Sequence, residues 1–151
     1  MYKNILAPLD GSEFSECSLK HVTAVAKGCA VPGVVLLRII EPLNKYMAYA
    51  GISQEALGEM RRKLQTETKR YMAKTADKLK KKGINAKTVI IEGMPSDEIL
   101  NYADKNQIDL IIMSTHGNSG LTRWAFGSVA DKVIRHSPVP VLAIAPPGCR
   151  K

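Results

Sequence analysis

No apolar run in this 151-residue chain approaches the length of a membrane span, and no secretory pattern opens it, so neither a bilayer nor an export route is expected. Cysteine is scarce and odd in number. Cys17, Cys29 and Cys149 form no C-x-x-C pair, which argues against a disulfide framework or a cysteine metal site and predicts a reducing cytoplasm. Aromatic residues make up only 5% of the chain, few rings on which to stack bases. The Walker A pattern G-x-x-x-x-G-K-[ST] does not occur, and Gly117 and Gly120 do not have the spacing of G-x-G-x-x-G. No motif places paired carboxylates for metal-assisted chemistry or a Ser–His–Asp set, which argues against a fast hydrolase or transferase.

What the chain does contain is ordinary for a globular domain: 45% hydrophobic and 24% charged residues, in a length that suits one domain over residues 1–151. Its net charge of +8 raises the question of nucleic acid. Much of the excess falls on one helical pattern, from Arg61, Arg62 and Lys63 through Lys69, Arg70, Lys74 and Lys78 to Lys80, Lys81 and Lys82. Glu59 and Glu67 interleave with it, as on a solvated helix face. Nucleic acid is therefore not the partner expected.

Apolar runs at Asn4–Leu9, Val34–Ile40, Ala86–Ile91, Ile108–Met113 and Val141–Ile144 read as five strands. Between them lie helical patterns: Glu13 to Lys27-Gly28, with Leu19, Val22 and Ala26 as its stripe; Ser53 to Lys82, with Leu57, Met60, Leu64, Tyr71, Thr75 and Leu79; Pro95 to Asp104; and one from Ser128. Strands apolar along their whole length are covered on both faces. The βαβαβαβαβ order thus predicts an α/β fold, a doubly wound parallel sheet with helices on both sides. Ligands of such sheets bind beyond the strands' carboxyl ends, where strand order reverses. Two loops compete for that place: Asp10-Gly11-Ser12 and the stretch from Ser114 to Ser128.

The second loop, S-T-H-G-N-S-G-L-T-R-W-A-F-G-S, carries three glycines and no acidic residue. Ser128 and Asp131 have the spacing of a capping box, which sets the start of a helix there. Free N–H groups of that first turn suit an anion, and Gly127 would let a phosphate approach the backbone. The same glycines could be plain punctuation before a helix.

These residues carry a family resemblance. Tyr2 to Ser12, Gly93-Met94-Pro95, Asp109 to Met113 and Val133 to Ile144 resemble the universal stress protein family. The loop resembles that family's nucleotide signature, G-x2-G-x9-G-[ST], with Ser114 where the first glycine stands. The resemblance implies a Rossmann-like sheet of five parallel strands in the order 3-2-1-4-5. It implies ATP as ligand, with Mg2+, and a homodimer through the C-terminal strand. Carried over, Asp10 sits by the adenine and ribose, Pro8 walls the base, and Ile39 meets the adenine edge through its backbone. Met113 lies beneath the nucleotide and Gly117 borders the ribose and phosphates. Ser114, His116, Asn118, Ser119 and Gly120 belong to the loop around it, and Gly127, Ser128 and Val129 hold the phosphates.

Each residue has a plainer reading too. Asp10 can simply form a turn, Ser12 suits a helix N-cap better than a nucleophile, and His116 can be a solvated loop histidine. Arg123 is a candidate for charge neutralisation, and Trp124 and Phe126 suit loop anchors better than adenine platforms. Three functions follow: a nucleotide-responsive regulatory protein in the stress response, a slow ATPase or nucleotidyl transferase, and an interaction module that binds no nucleotide, which Ser114 favours.

Overall fold

The computed structural model describes residues 2–43, 51–117 and 127–146. Within them the chain runs β1 (Asn4–Pro8), α1 (Glu13–Glu16), α2 (Leu19–Gly28), β2 (Gly33–Ile40), α3 (Gln54–Lys80), β3 (Ala86–Glu92), α4 (Pro95–Lys105), β4 (Leu110–Ser114), α5 (Ser128–His136) and β5 (Val141–Ile144). The strands form one five-stranded sheet in the order β3-β2-β1-β4-β5, and every pairing is parallel. This is the Rossmann-like doubly wound architecture that the continuous apolar strands predict.

Alternation along the strands divides the core between the two faces. Ile5, Ala7, Leu36, Leu110 and Ile112 pack on one side against Val22 and Ala26 of α2 and Met72 and Leu79 of α3. Leu6, Leu37, Ile111 and Met113 pack on the other against Ile99 and Ala103 of α4 and Ala130 and Val133 of α5. Burying consecutive residues on opposite faces requires the unbroken apolar runs seen in the sequence. At the amino ends of the strands, the Asp109 carboxylate accepts the N–H groups of Lys3 at 2.6 Å and Asn4 at 3.2 Å, tying the entry to β4 to that of β1.

Two elements depart from expectation. The first helical pattern splits at Cys17-Ser18 into α1 and α2. Ser18 is fully buried, and its Oγ donates to the Ser15 carbonyl at 2.7 Å while Ser15 Oγ donates to that of Ser12 at 2.9 Å. Serine hydroxyls that compete for backbone carbonyls in this way disfavour a continuous helix. The second helix ends at Gly28, where the sequence closes it, and Ala30 is the residue beyond it that turns left-handed, at φ 49°.

The second departure is α3, whose 27 residues span about 40 Å at 1.5 Å each. Its buried residues are Thr68, Met72, Thr75 and Leu79, all in its C-terminal half. Met60 is 42% exposed although it lies on the predicted apolar stripe, because the helix outruns the sheet it packs on. Charged along its length, α3 is no membrane span, and no helix among the described residues is long and apolar enough to be one.

Candidate functional site

Because β1 and β4 are adjacent, with Ile5 beside Leu110 and Leu6 beside Ile111, the loops leaving their carboxyl ends face each other. Between them opens a cavity of about 400 Å³. It lies at the point where strand order reverses, the place where open α/β sheets bind ligands. Of the residues expected at the site, Pro8, Asp10, Ile39, Met113, Ser114, His116, Gly117, Gly127, Ser128 and Val129 all line it. Asn118, Ser119 and Gly120 lie outside the described residues, as do Arg123, Trp124 and Phe126.

The β1 end is built around Asp10. Gly11 adopts φ 82°, a left-handed conformation suited to glycine, and turns the chain into α1. Asp10 Oδ1 accepts the Ser12 N–H at 2.9 Å and the Ser12 hydroxyl at 2.5 Å. Ser12 is the N-cap of α1, its Oγ accepting the Ser15 N–H at 3.1 Å. Asp10 therefore forms the turn and lines the cavity at once. Across the crevice Gly117 lies so near that a Cβ there would overlap Asp10 Oδ2.

The β4 end is drawn inward. Ser114 is buried at 6% exposure, and its Oγ accepts the His116 N–H at 3.3 Å and the Cys17 thiol at 3.8 Å. The side chain that replaces the signature's first glycine is thus engaged with the loop's own backbone and with Cys17, the C-cap of α1. His116 is buried and not solvated, and its Nδ1 lies 2.9 Å from Thr115 Oγ1.

The helix start differs from the expected capping box. The N-cap of α5 is Gly127, Ser128 is the first helical residue, and no side chain among the described residues caps the helix. Asp131 pairs with Arg135 at 2.9 Å, so it does not fold back on the helix start. The S-x-x-D spacing misleads because the true cap lies one residue earlier. As a consequence, the first-turn N–H groups of Ser128, Val129 and Ala130 have no intrahelical acceptor and, among the described residues, no side-chain cap, and all three residues line the cavity. Gly127 itself donates to the Thr115 carbonyl at 2.8 Å, and a Cβ on it would sit 3.3 Å from that oxygen. Its small size thus answers to the closure of the loop.

Sequence reasoning missed several lining residues: Thr115 in the loop, Leu64 from α3, Pro95 and Ile99 from α4, and Arg38 from β2. Only Arg38 left a signal, as the lone charge in an otherwise apolar strand. Burial lowers the pKa of its guanidinium, opposed by the nearby Asp10, Tyr71 and Glu41, and an arginine remains charged regardless.

Burial, reinforced by Glu16, also pushes the Tyr71 hydroxyl up to about 12, against an ordinary value near 10. The folded chain then keeps a proton that the unfolded chain releases, so this stability is present below about pH 10 and lost as pH rises toward 12. Tyr71→Phe is expected to flatten the alkaline limb of a plot of Tm against pH. A limb unchanged in slope would show that the hydroxyl titrates alike in both states.

The crevice defines the class: an α/β protein whose sheet-end cavity is lined by a carboxylate and by a helix start. A family model described as the universal stress protein family matches residues 1–145, and the chain belongs to that family. It is 35% identical to Universal stress protein MJ0577 of Methanocaldococcus jannaschii over 95% of both chains. The solved structure of MJ0577 superposes with a TM-score of 0.82 at 36% identity, covering 96% of each chain. Two more distant structures share the fold. One is an Arabidopsis thaliana family member with AMP bound, at TM-score 0.69 and 16% identity over 97% of this chain and 93% of that one. The other is a universal stress protein of Archaeoglobus fulgidus in complex with dAMP, at TM-score 0.64 and 20% identity over 95% and 98%.

Proposed function

We propose that this universal stress protein binds an adenine nucleotide, ATP with Mg2+, and acts as a nucleotide-responsive regulatory protein of the stress response. The observation that carries this reading is the convergence of the Asp10 carboxylate and the uncapped first turn of α5 on one cavity. A helix start with unpaired N–H groups and its dipole suits phosphate. A carboxylate, acceptor only, suits sugar hydroxyls. Relatives that hold AMP and dAMP support the adenine class. Pro8, Ile39 and Met113 supply apolar walls for the base. Magnesium enters with the phosphates, since it is commonly held through one or two carboxylates together with the nucleotide.

The same reading takes the protein to be one domain, cytoplasmic, and a homodimer joined at β5. Its direct test is ligand linkage. At about a hundred times its Kd, MgATP is expected to stabilise the fold by about 2.7 kcal/mol. For a domain of this size that is a rise in Tm of roughly 5–11 °C. A Tm unmoved by millimolar ATP, ADP and AMP would sink the nucleotide reading and favour the interaction module.

A further inference from the structure

Among the described residues lining the cavity, Arg38 is the only lysine or arginine. It stands on the sheet face that carries Leu36, toward Tyr71 of α3. Its Nη1 donates to the Leu9 carbonyl at 3.4 Å, while the Leu9 N–H donates to the Leu37 carbonyl at 2.9 Å. The peptide unit on either side of Leu9, the residue just before Asp10, is thus held by two successive residues of β2. Beyond it, the Asp10 N–H donates to Ser15 Oγ at 3.3 Å, so the carboxylate projects from a backbone braced on both sides. The guanidinium also lies in the field of two carboxylates that line the cavity, Asp10 and Glu41.

Resting on the nucleotide reading above, we propose that Arg38 is a positioning residue for sugar recognition: by holding the Leu9 carbonyl it aims the Asp10 carboxylate at the ribose, so that the site favours nucleotides carrying a 2′-hydroxyl. The chemistry is a matter of donors and acceptors. A ribose offers two adjacent O–H donors to a group that only accepts. A 2′-deoxyribose removes one donor and with it a hydrogen bond to the carboxylate, the kind of loss that binding sites discriminate best. Arg38 acts through Asp10, so removing it should blunt the discrimination and leave the phosphate end, built by α5, in place.

The test is calorimetric titration of the full chain with AMP and with dAMP, alongside Arg38→Gln, Arg38→Lys and Asp10→Asn. The unchanged protein is expected to favour AMP by about tenfold, the scale of one charged hydrogen bond. In Arg38→Gln that ratio should fall close to one, through loss of AMP affinity with dAMP affinity nearly kept. Arg38→Lys should restore part of it, since a lysine can still donate to Leu9. Asp10→Asn, which keeps Arg38 and the Ser12 turn, should erase the preference by itself. Where Arg38→Gln does not fold, Arg38→Lys decides the role of Arg38: its ratio is expected between one and that of the unchanged protein, and a ratio equal to that of the unchanged protein overturns it. Equal losses for AMP and dAMP in Arg38→Gln, or a preference that survives Asp10→Asn, would overturn the inference alone. An unchanged protein that binds neither nucleotide would remove the nucleotide reading, and this inference with it.

Discussion

Gly117→Ala is expected to weaken adenine-nucleotide binding by about ten- to a hundredfold, the range of one or two charged hydrogen bonds. The melting temperature should move little, because Gly117 does not have a left-handed φ and so requires no glycine for its backbone. What it requires is space: an added methyl would overlap Asp10 Oδ2. The carboxylate cannot simply rotate away, since its other oxygen is held by the N–H and hydroxyl of Ser12. The methyl would therefore push the ligand-facing side of Asp10 out of line and intrude on the cavity. Titration calorimetry beside a melting curve checks both halves of the expectation. An alanine variant that binds nucleotide as tightly as the unchanged protein would remove Asp10 from the site.

The comparison with Gly127 sharpens the point. The sequence marks Gly127 as the glycine at which a phosphate approaches, and the family resemblance sets Gly117 beside the ribose and phosphates. The structure gives Gly117 the tighter surroundings of the two. A Cβ on Gly127 meets the Thr115 carbonyl at 3.3 Å and the His116 Cα at 3.8 Å, contacts that a small shift relieves. Which neighbour a glycine has made room for depends on residues more than a hundred positions away, as with Asp10 and Gly117, and local punctuation does not encode that.

Other features follow the same division between local and distant causes. The strands were legible because burial on both faces leaves an unbroken apolar run, as in Leu110-Ile111-Ile112-Met113. The turn at Asp10-Gly11-Ser12 was legible because Asp, Gly and Ser each have a local reason to be there. The break between α1 and α2 was not, since it arises from the Ser15 and Ser18 hydroxyls bonding back to carbonyls. Nor was the exposure of Met60. Periodicity tells that a helix has an apolar stripe, while only the length of the sheet beneath decides how much of it is covered. Leu64, Pro95 and Ile99 reach the cavity through the packing of whole crossovers, which no short window contains.

Ala143→Pro is expected to turn a homodimer into monomers that keep the native fold, whereas Leu142→Pro should unfold the chain or lower its Tm. The difference lies in the phase of the β4–β5 ladder. Ile111 N–H donates to the Pro140 carbonyl at 3.0 Å and Thr115 N–H to that of Ile144 at 2.9 Å. Hydrogen-bonding groups alternate in direction along a parallel strand, so Leu142 also faces β4, while the N–H and C=O of Val141 and Ala143 point to the open edge. That edge is short and apolar, with Leu142 38% exposed and Ile134 of the neighbouring α5 36% exposed. Such an edge invites pairing unless something covers it, and a copy of the same strand running antiparallel about a two-fold axis would do so. Proline at 143 removes an outward donor only. At 142 it removes a bond within the sheet and leaves its β4 partner unsatisfied, at a cost of about 1–3 kcal/mol, roughly 2–12 °C in Tm. Light scattering on the unchanged protein and on Ala143→Pro, each with a circular dichroism spectrum, separates the cases. A monomer at tens of micromolar for the unchanged protein, or a dimer that persists in Ala143→Pro, would refute pairing through β5.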